Sequence, residues 1–454
     1  MFKRILIANR GEIALRIIRC CREMGIETVA VYSTADEQSL PVMLATHRVC
    51  IGPEKAAQSY LNQEVILETA KKMECDAIHP GYGFLSENAD FAKACEENQI
   101  TFIGPSAKVI QSMGDKQTAR TLMRKSGVPI VPGSLGMVSS FEEAKKEAEK
   151  IGYPVLIKAT AGGGGKGMRK VFKEEELEKA FFTAKTEAQA AFGNGEVYME
   201  KLIVTPHHIE FQILADHHGN IVHLGERDCS IQKNNQKLLE ETPSWVLDDD
   251  LRSRMGAEAV RAAKAAGYTN AGTIEFVLDN HRNFYFIEMN TRIQVEHPIT
   301  ELLTGVDLIK EQIRIAAGRK MDLTQEKVSF NGHAMECRIN AMSPGKVSFL
   351  HFPAGSGVRV DSHLYNGCEV SPHYDSMVAK IIVTGKTRLE TIRRMRRALE
   401  ELMIEGVETN TEFMYLVTLH PEFIRGKYDT SFWEKYSETI IRWNEEGKAS
   451  DDDA

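Results

Sequence analysis

Apolar residues along the first hundred positions come in short unbroken runs separated by helical-period stretches. Positions 5–8 and 28–32 read as strands buried on both faces. Between them, 12–24 places Ile13, Ile17, Cys21 and Met24 on one side of a helix. Shorter apolar runs at 77–78 and 101–103 lead into His79-Pro80-Gly81-Tyr82-Gly83 and Gly104-Pro105. Strand–helix alternation of this kind predicts a parallel, doubly wound sheet. Ligands bind such sheets at the carboxyl ends of the strands, where Asn9-Arg10-Gly11 and the 79–83 segment both lie. Proline and glycine cluster at 127–133. A compact unit follows, with helices over 140–150 and 174–191 and strands over 155–158, 169–171 and 197–201. Beyond about 205, strands come first and helices later, among them 389–403. The pattern predicts an α/β protein, α+β overall. A doubly wound unit spans 1–113, a linker 114–131, a small lid 132–203, a mixed β/α unit 204–446 and a disordered acidic tail 447–454.

Composition narrows the class. With 454 residues the chain exceeds one ordinary core, and 43% hydrophobic with 26% charged residues describes a globular protein. A formal charge of −8 argues against a nucleic-acid partner. No stretch approaches the roughly 18 apolar residues of a membrane span, and the opening run is too short for a secretory leader. Eight scattered cysteines without a C-x-x-C pair read as reduced thiols of a cytoplasmic protein. Cys229 stands out only because its neighbours are charged.

Two stretches carry chemistry. Ala161-Gly162-Gly163-Gly164-Gly165-Lys166-Gly167-Met168 satisfies G-x-G-x-x-G, but a strand follows it rather than the helix a dinucleotide site needs. It is read as a hairpin flap whose N–H groups, with Lys158 and Lys166, close over phosphates; a flexible surface turn is the other reading. In Glu288-Met289-Asn290-Thr291-Arg292-Ile293-Gln294-Val295-Glu296 the even positions are all ionisable or amide groups, which extended chain places on one side. The apolar 284–287 run before it sets that row at the mouth of a core. If 272–278 and 284–290 form a hairpin, Glu275 falls opposite Glu288, about 5 Å away. Facing carboxylates require a cation between them. Glu275, Glu288 and Asn290 are oxygen donors suited to Mg²⁺ shared with nucleotide phosphates. A solvated surface ladder would show the same alternation.

The run 288–297 resembles the signature of biotin-dependent carboxylases. So do Ile7-Ala8-Asn9-Arg10-Gly11-Glu12-Ile13-Ala14 and His79-Pro80-Gly81-Tyr82-Gly83-Phe84-Leu85-Ser86-Glu87-Asn88. With the tetraglycine run and Glu226-Arg227-Asp228-Cys229-Ser230, the resemblance covers residues 1 to about 443. It implies an ATP-grasp fold: a Rossmann-like first domain, a mobile lid and a C-terminal mixed β/α domain. By position it places Lys116, Lys158, Gly164, Gly165, His208 and Gln232 on ATP. Glu200, Lys201, Leu202 and Ile203 fall around adenine. Lys237, Arg292, Gln294, Val295 and Glu296 fall on bicarbonate, and Arg338 between bicarbonate and biotin. Two Mg²⁺ (or Mn²⁺) ions are expected at Glu275, Glu288 and Asn290.

The mechanism this implies starts with Glu296 as base on bicarbonate, whose oxygen attacks the γ-phosphate of ATP. Carboxyphosphate then releases CO₂ and phosphate, phosphate removes the biotin N1′ proton, and Arg338 stabilises the enolate-like anion. One departure stands out. The family often reads Gln-Arg-Arg-His-Gln-Lys, and this chain has Gln232-Lys233-Asn234-Asn235-Gln236-Lys237, so Asn235 replaces a histidine expected near the nucleotide. No Ala/Val-Met-Lys-Met biotin-acceptor motif is found, since Ala334-Met335-Glu336-Cys337 has Glu in place of Lys. Biotin is therefore expected on a separate biotin carboxyl carrier protein, with carboxyltransferase subunits completing an acetyl-CoA carboxylase. Arg19 and Glu23 match homodimer-interface positions, though an i,i+4 surface pair has the same spacing. The competing readings are another acyl-phosphate-forming ATP-grasp ligase, a piece of a pyruvate carboxylase, and an inactive nucleotide-binding regulator.

Overall fold

Strand Arg4–Ile7 sits at the centre of a five-stranded parallel sheet in the computed structural model, which describes residues 1–134, 136–160 and 167–452. The order is His47–Gly52, Glu27–Ser33, Arg4–Ile7, Ala77–His79, Thr101–Phe102. Successive side chains of the central strand bury on opposite faces. Ile5 and Ile7 pack with Ile13 and Ile17 of helix Gly11–Glu23 and with Leu308 and Ile313 from much later in the chain. Leu6 and Ala8 pack with Ile66 and Phe91 from helices Gln63–Lys72 and Ala89–Glu97. The sheet is thus doubly wound, and one of its faces docks on the later part of the chain. The edge strand His47–Gly52 is an addition to the strands marked by the sequence: Ile51 is its one buried side chain, and its apolar run is only Val49-Cys50-Ile51.

The lid is a three-stranded antiparallel sheet, Met168–Val171, Val155–Ala159 and Val197–Lys201, backed by helices Phe141–Ile151 and Glu174–Phe192. The four-glycine run between its first two strands in sequence, with Gly164, Gly165 and Lys166, lies outside the described residues.

The third layer is one antiparallel sheet of eight strands. In order they are Phe284–Asn290, Asn270–Leu278, His207–Ala215, Ile221–Lys233, Gln236–Thr242, His333–Asn340, Met377–Gly385 and Val358–Ser362. Two expectations need correction. The stretch 114–131 is not a bare linker, because it holds helix Lys116–Lys125, capped by the Asp115 carboxylate accepting from the Thr118 N–H at 2.7 Å. Ala119 and Met123 of that helix bury in the same core as Met255 and Phe286. The acidic tail is helical as far as Asp452, as part of Phe432–Asp452; Asp453 and Ala454 lie outside the described residues. No described helix is long and apolar enough to cross a membrane.

Candidate active site

Strands Asn270–Leu278 and Phe284–Asn290 form the anticipated hairpin, and its register contains a bulge. Near the turn Phe276 pairs with Phe286, whereas beyond the bulge Glu275 pairs with Glu288 and Thr273 with Asn290. Were the register near the turn to continue unbroken, Glu275 would face Ile287 and Glu288 would face Ile274. The bulge therefore aims both carboxylates to one side. The strand stops at Asn290. Arg292, Gln294 and Glu296 continue the polar alternation in irregular backbone entering helix His297–Thr304, not in a strand as their spacing implied.

Glu275 Oε1 accepts from Asn290 Nδ2 at 2.8 Å, Gln294 Nε2 at 3.0 Å and Lys237 Nζ at 3.1 Å, and Oε2 lies 3.1 Å from His208 Nε2. Burial alone would raise this carboxyl, but Lys237 and His208 hold it well below the usual carboxylate range. Glu288 moves the other way, raised by burial and by repulsion from Glu275. Two facing acids with the amide oxygen of Asn290 beside them form an oxygen-only set, and a hard dication would relieve the repulsion. The residues therefore fit the expected Mg²⁺. The acids and histidine whose donor atoms already lie within 4.8 Å of one another are His208, Glu210 and Glu275, around the Lys237 ammonium.

Lys237 is the hub. Its ammonium reaches Glu210 at 2.5 Å, Glu296 at 2.7 Å and Glu275 at 3.1 Å. Burial would lower its pKa, and these three acids raise it well above the ordinary value. Behind it Arg227, with no exposed surface, donates to Glu210, Gln212, Thr300, Thr273 and Gln294 at 2.5–3.1 Å. A buried guanidinium has five N–H groups, and here every one is paired. Arg338 Nε donates to Glu240 at 2.6 Å and Nη2 to Glu296 at 3.0 Å. Against burial, Lys237, Arg338 and Arg227 hold Glu296 well below the usual range, so it is a carboxylate. Glu240, raised chiefly by burial, sits at about 7. Arg292 donates to Glu87 at 2.9 Å and to Asn290 Oδ1 at 3.1 Å, which ties the first domain to this loop.

Lys116, Lys158, His208, Gln232, Asn235, Lys237, Glu275, Glu288, Asn290, Arg292, Gln294, Val295, Glu296 and Arg338 all line one cavity of about 930 Å³. Glu200, Lys201, Leu202 and Ile203 are not among its lining residues. Glu200 is buried against Arg120 and Lys158, and the Lys201 ammonium is held by the Gly152 and Tyr153 carbonyls within the lid. Lys158 lies 2.6 Å from Glu200. Cys229 is buried beside Glu210 and Glu296, and burial pushes its thiol well up, so it is no nucleophile. All eight cysteines are free.

Glu210, Arg227, Glu240 and Glu87 were not singled out individually from the sequence. Glu210 could have been. His208, Glu210 and Gln212 alternate with Ile209, Phe211 and Ile213 along a strand, the same two-faced pattern that marks 288–296. Arg227 and Glu240 lie in runs of consecutive charged residues, Glu226-Arg227-Asp228 and Glu240-Glu241, with no alternation to mark either one.

Three family models match the chain. They are the biotin carboxylase N-terminal domain over residues 1–110, the ATP-binding domain of the carbamoyl-phosphate synthase L chain over 115–324, and the biotin carboxylase C-terminal domain over 336–435. Biotin carboxylase 1 of Bacillus subtilis is 57% identical, covering 96% of this chain and 99% of its own. A pyruvate carboxylase subunit of Methanothermobacter thermautotrophicus is 51% identical, covering 97% and 91%. Among solved structures, the biotin carboxylase domain dimer of Hydrogenobacter thermophilus 2-oxoglutarate carboxylase, bound to MgADP, ADP and bicarbonate, is 49% identical. It superposes with a TM-score of 0.92 and covers 97% of this chain and 99% of that one.

Proposed function

The chain belongs to the biotin carboxylase family and is a ligase that carboxylates biotin with ATP and bicarbonate; we propose that its biotin arrives on a separate carrier protein, in the first half-reaction of a cytoplasmic acetyl-CoA carboxylase. The single observation that carries the site assignment is the ring Lys237, Glu296, Arg338 in the same cavity as Glu275, Glu288 and Asn290, with Lys237 bridging Glu296 and Glu275.

Glu296 is the base for bicarbonate. As a carboxylate clamped by two cations it is a weak base. Bicarbonate entering beside Lys237, Arg292 and Arg338 competes for those cations, which raises the basicity of Glu296 when the substrate is present. Lys237 and Arg292 hold the anion, with Gln294 and Val295 beside it. Lys116, Lys158 and His208 face the phosphates, with Gln232 and Asn235 further along the cavity wall. Glu275, Glu288 and Asn290 would hold Mg²⁺, which supplies charge neutralisation on the nucleotide. The glycine run with Gly164 and Gly165 would exclude water from carboxyphosphate, and residues 200–203 would lie toward adenine. Arg338 faces the biotin ureido oxygen once the proton has gone to phosphate. The exposed Arg19 and Glu23 belong to a homodimer interface, and carboxyltransferase subunits complete the assembly.

ADP release from purified protein with MgATP, with and without bicarbonate and free biotin, tests this reading. Release that needs all three supports it, and Glu296→Gln then lowers kcat by about 10²–10⁴-fold. Bicarbonate-dependent release indifferent to biotin would point to another acyl-phosphate acceptor. A wild-type rate in Glu296→Gln would remove the base from Glu296.

A further inference from the structure

Lys380 has no exposed surface and belongs to none of the groups assigned above. It stands on strand Met377–Gly385 opposite Arg338 on His333–Asn340, and directly paired residues share a face of the sheet. Both side chains therefore rise toward the 292–296 loop. Lys380 Nζ lies 3.0 Å from Glu12 Oε1 and 3.9 Å from Asp361 Oδ2, and it donates to the Val295 carbonyl at 2.8 Å. Two carboxylates account for a buried ammonium electrostatically; the bond to Val295 is a further constraint, on backbone. Glu12, in helix Gly11–Glu23 of the first domain, also accepts from the Tyr82 hydroxyl, and its Oε2 is buried without a partner. Burial, the largest influence, lowers the pKa of Lys380, yet Glu12 and Glu336 keep it raised overall, so the group is a cation.

We propose that Lys380 is a positioning residue for Glu296. The Val295 carbonyl is one end of the planar peptide unit that leads into Glu296. Pinning that oxygen from below sets the direction in which Glu296 leaves the backbone toward Lys237 and Arg338. Glu12 in turn pins Lys380, so the orientation of Glu296 depends on the docking of the first domain. The second ring of contacts has the same geometric task as the first, because an error of about 1 Å at a reacting group costs up to about 10²-fold in rate.

The proposal rests on the reading of Glu296 as base, and steady-state ADP release with bicarbonate and ATP varied separately keeps the two apart. Lys380→Met is expected to lower kcat about tenfold or more and to raise the KM for bicarbonate by a similar factor. The KM for ATP stays within about twofold, since Lys380 touches nothing on the nucleotide side. An unchanged KM for bicarbonate, or a parallel rise for ATP, overturns it. Because Lys380→Met leaves buried Glu12 without its cation, while Asp361 keeps Arg359 at 2.7 Å, Glu12→Gln is the companion variant, keeping size and an acceptor for Tyr82. Folded Glu12→Gln protein is expected to show the bicarbonate KM raised about threefold with ATP unaffected. A bicarbonate KM equal to wild type in that variant rejects the coupling whether or not Lys380→Met folds. A wild-type rate in Glu296→Gln would instead reject the base assignment while leaving the Lys380 contact as a structural one.

Discussion

Asn235 shows how a single position can answer to two demands. It and Asn234 form the two-residue tip between strands Ile221–Lys233 and Gln236–Thr242, with φ of 63° and 52° and with Lys233 paired to Gln236. A tight antiparallel turn with both central residues left-handed favours Asn-Gly and Asn-Asn pairs, because the short amide side chain tolerates that backbone. Histidine is less comfortable there. The departure from the related histidine is thus consistent with the local turn, while the Asn235 side chain still lines the cavity. Asn235→Gly separates the two roles. Glycine keeps the turn, so the urea midpoint is expected to hold. The KM for ATP rises about two- to tenfold if one amide hydrogen bond to the nucleotide is lost. An unchanged KM removes Asn235 from the nucleotide site.

Strands and helices in the C-terminal half are fastened by a buried charge cluster apart from the cavity. Glu241, on Gln236–Thr242, accepts from Arg388 Nε at 2.8 Å and lies 3.1 Å from His333 Nε2, with the Tyr428 hydroxyl also donating to it. Arg388 opens helix Arg388–Glu401 and donates onward to the Phe423 and Ile424 carbonyls. Burial pushes Glu241 up, but His333 and Arg388 outweigh it and lower it to about 2. A carboxyl depressed in the folded state stabilises fully above its unfolded value, near 4.5, and that stabilisation is lost as pH falls toward 2. The shift corresponds to roughly 3 kcal/mol at neutral pH. Glu241→Gln is therefore expected to destabilise at pH 7 and to flatten the stability curve between about pH 4.5 and 2, read by urea unfolding at a series of pH values. A variant with the wild-type acid limb would assign that limb to other groups.

Across the molecule, three of the active-site carboxylates are balanced by protein groups. Glu210, Glu275 and Glu296 are met by Lys237, Arg227, His208 and Arg338. Removing divalent cations is accordingly expected to stop ADP release without unfolding the chain. In EDTA and without nucleotide, the Tm by circular dichroism should move by less than about 2 °C. A large fall would mean that Glu275 and Glu288 depend on the metal for folding. The first domain joins this balance at two places, Glu87 on Arg292 and Glu12 on Lys380, so the complete site forms only with that domain docked.

What the chain determined by itself is the chemistry and the local layout. Unbroken apolar runs marked the central strands of the parallel sheet, and alternation around 275 and 288 placed two carboxylates face to face, because those signals are written within a few residues of each other. The class of reaction was legible for the same reason: the ordered motifs at 7–14, 79–88, 226–230 and 288–297 are contiguous. The tertiary structure decided which cation answers which acid. Lys237 meets Glu210, Glu275 and Glu296 across 27 to 59 residues of sequence, and Lys380 reaches Val295 across 85. The bulge at Ile287, the helix within the expected linker and the end of the polar strand at Asn290 were also settled by packing. Electrostatic partners in a buried site are chosen by proximity in three dimensions, and no periodicity along the chain records it.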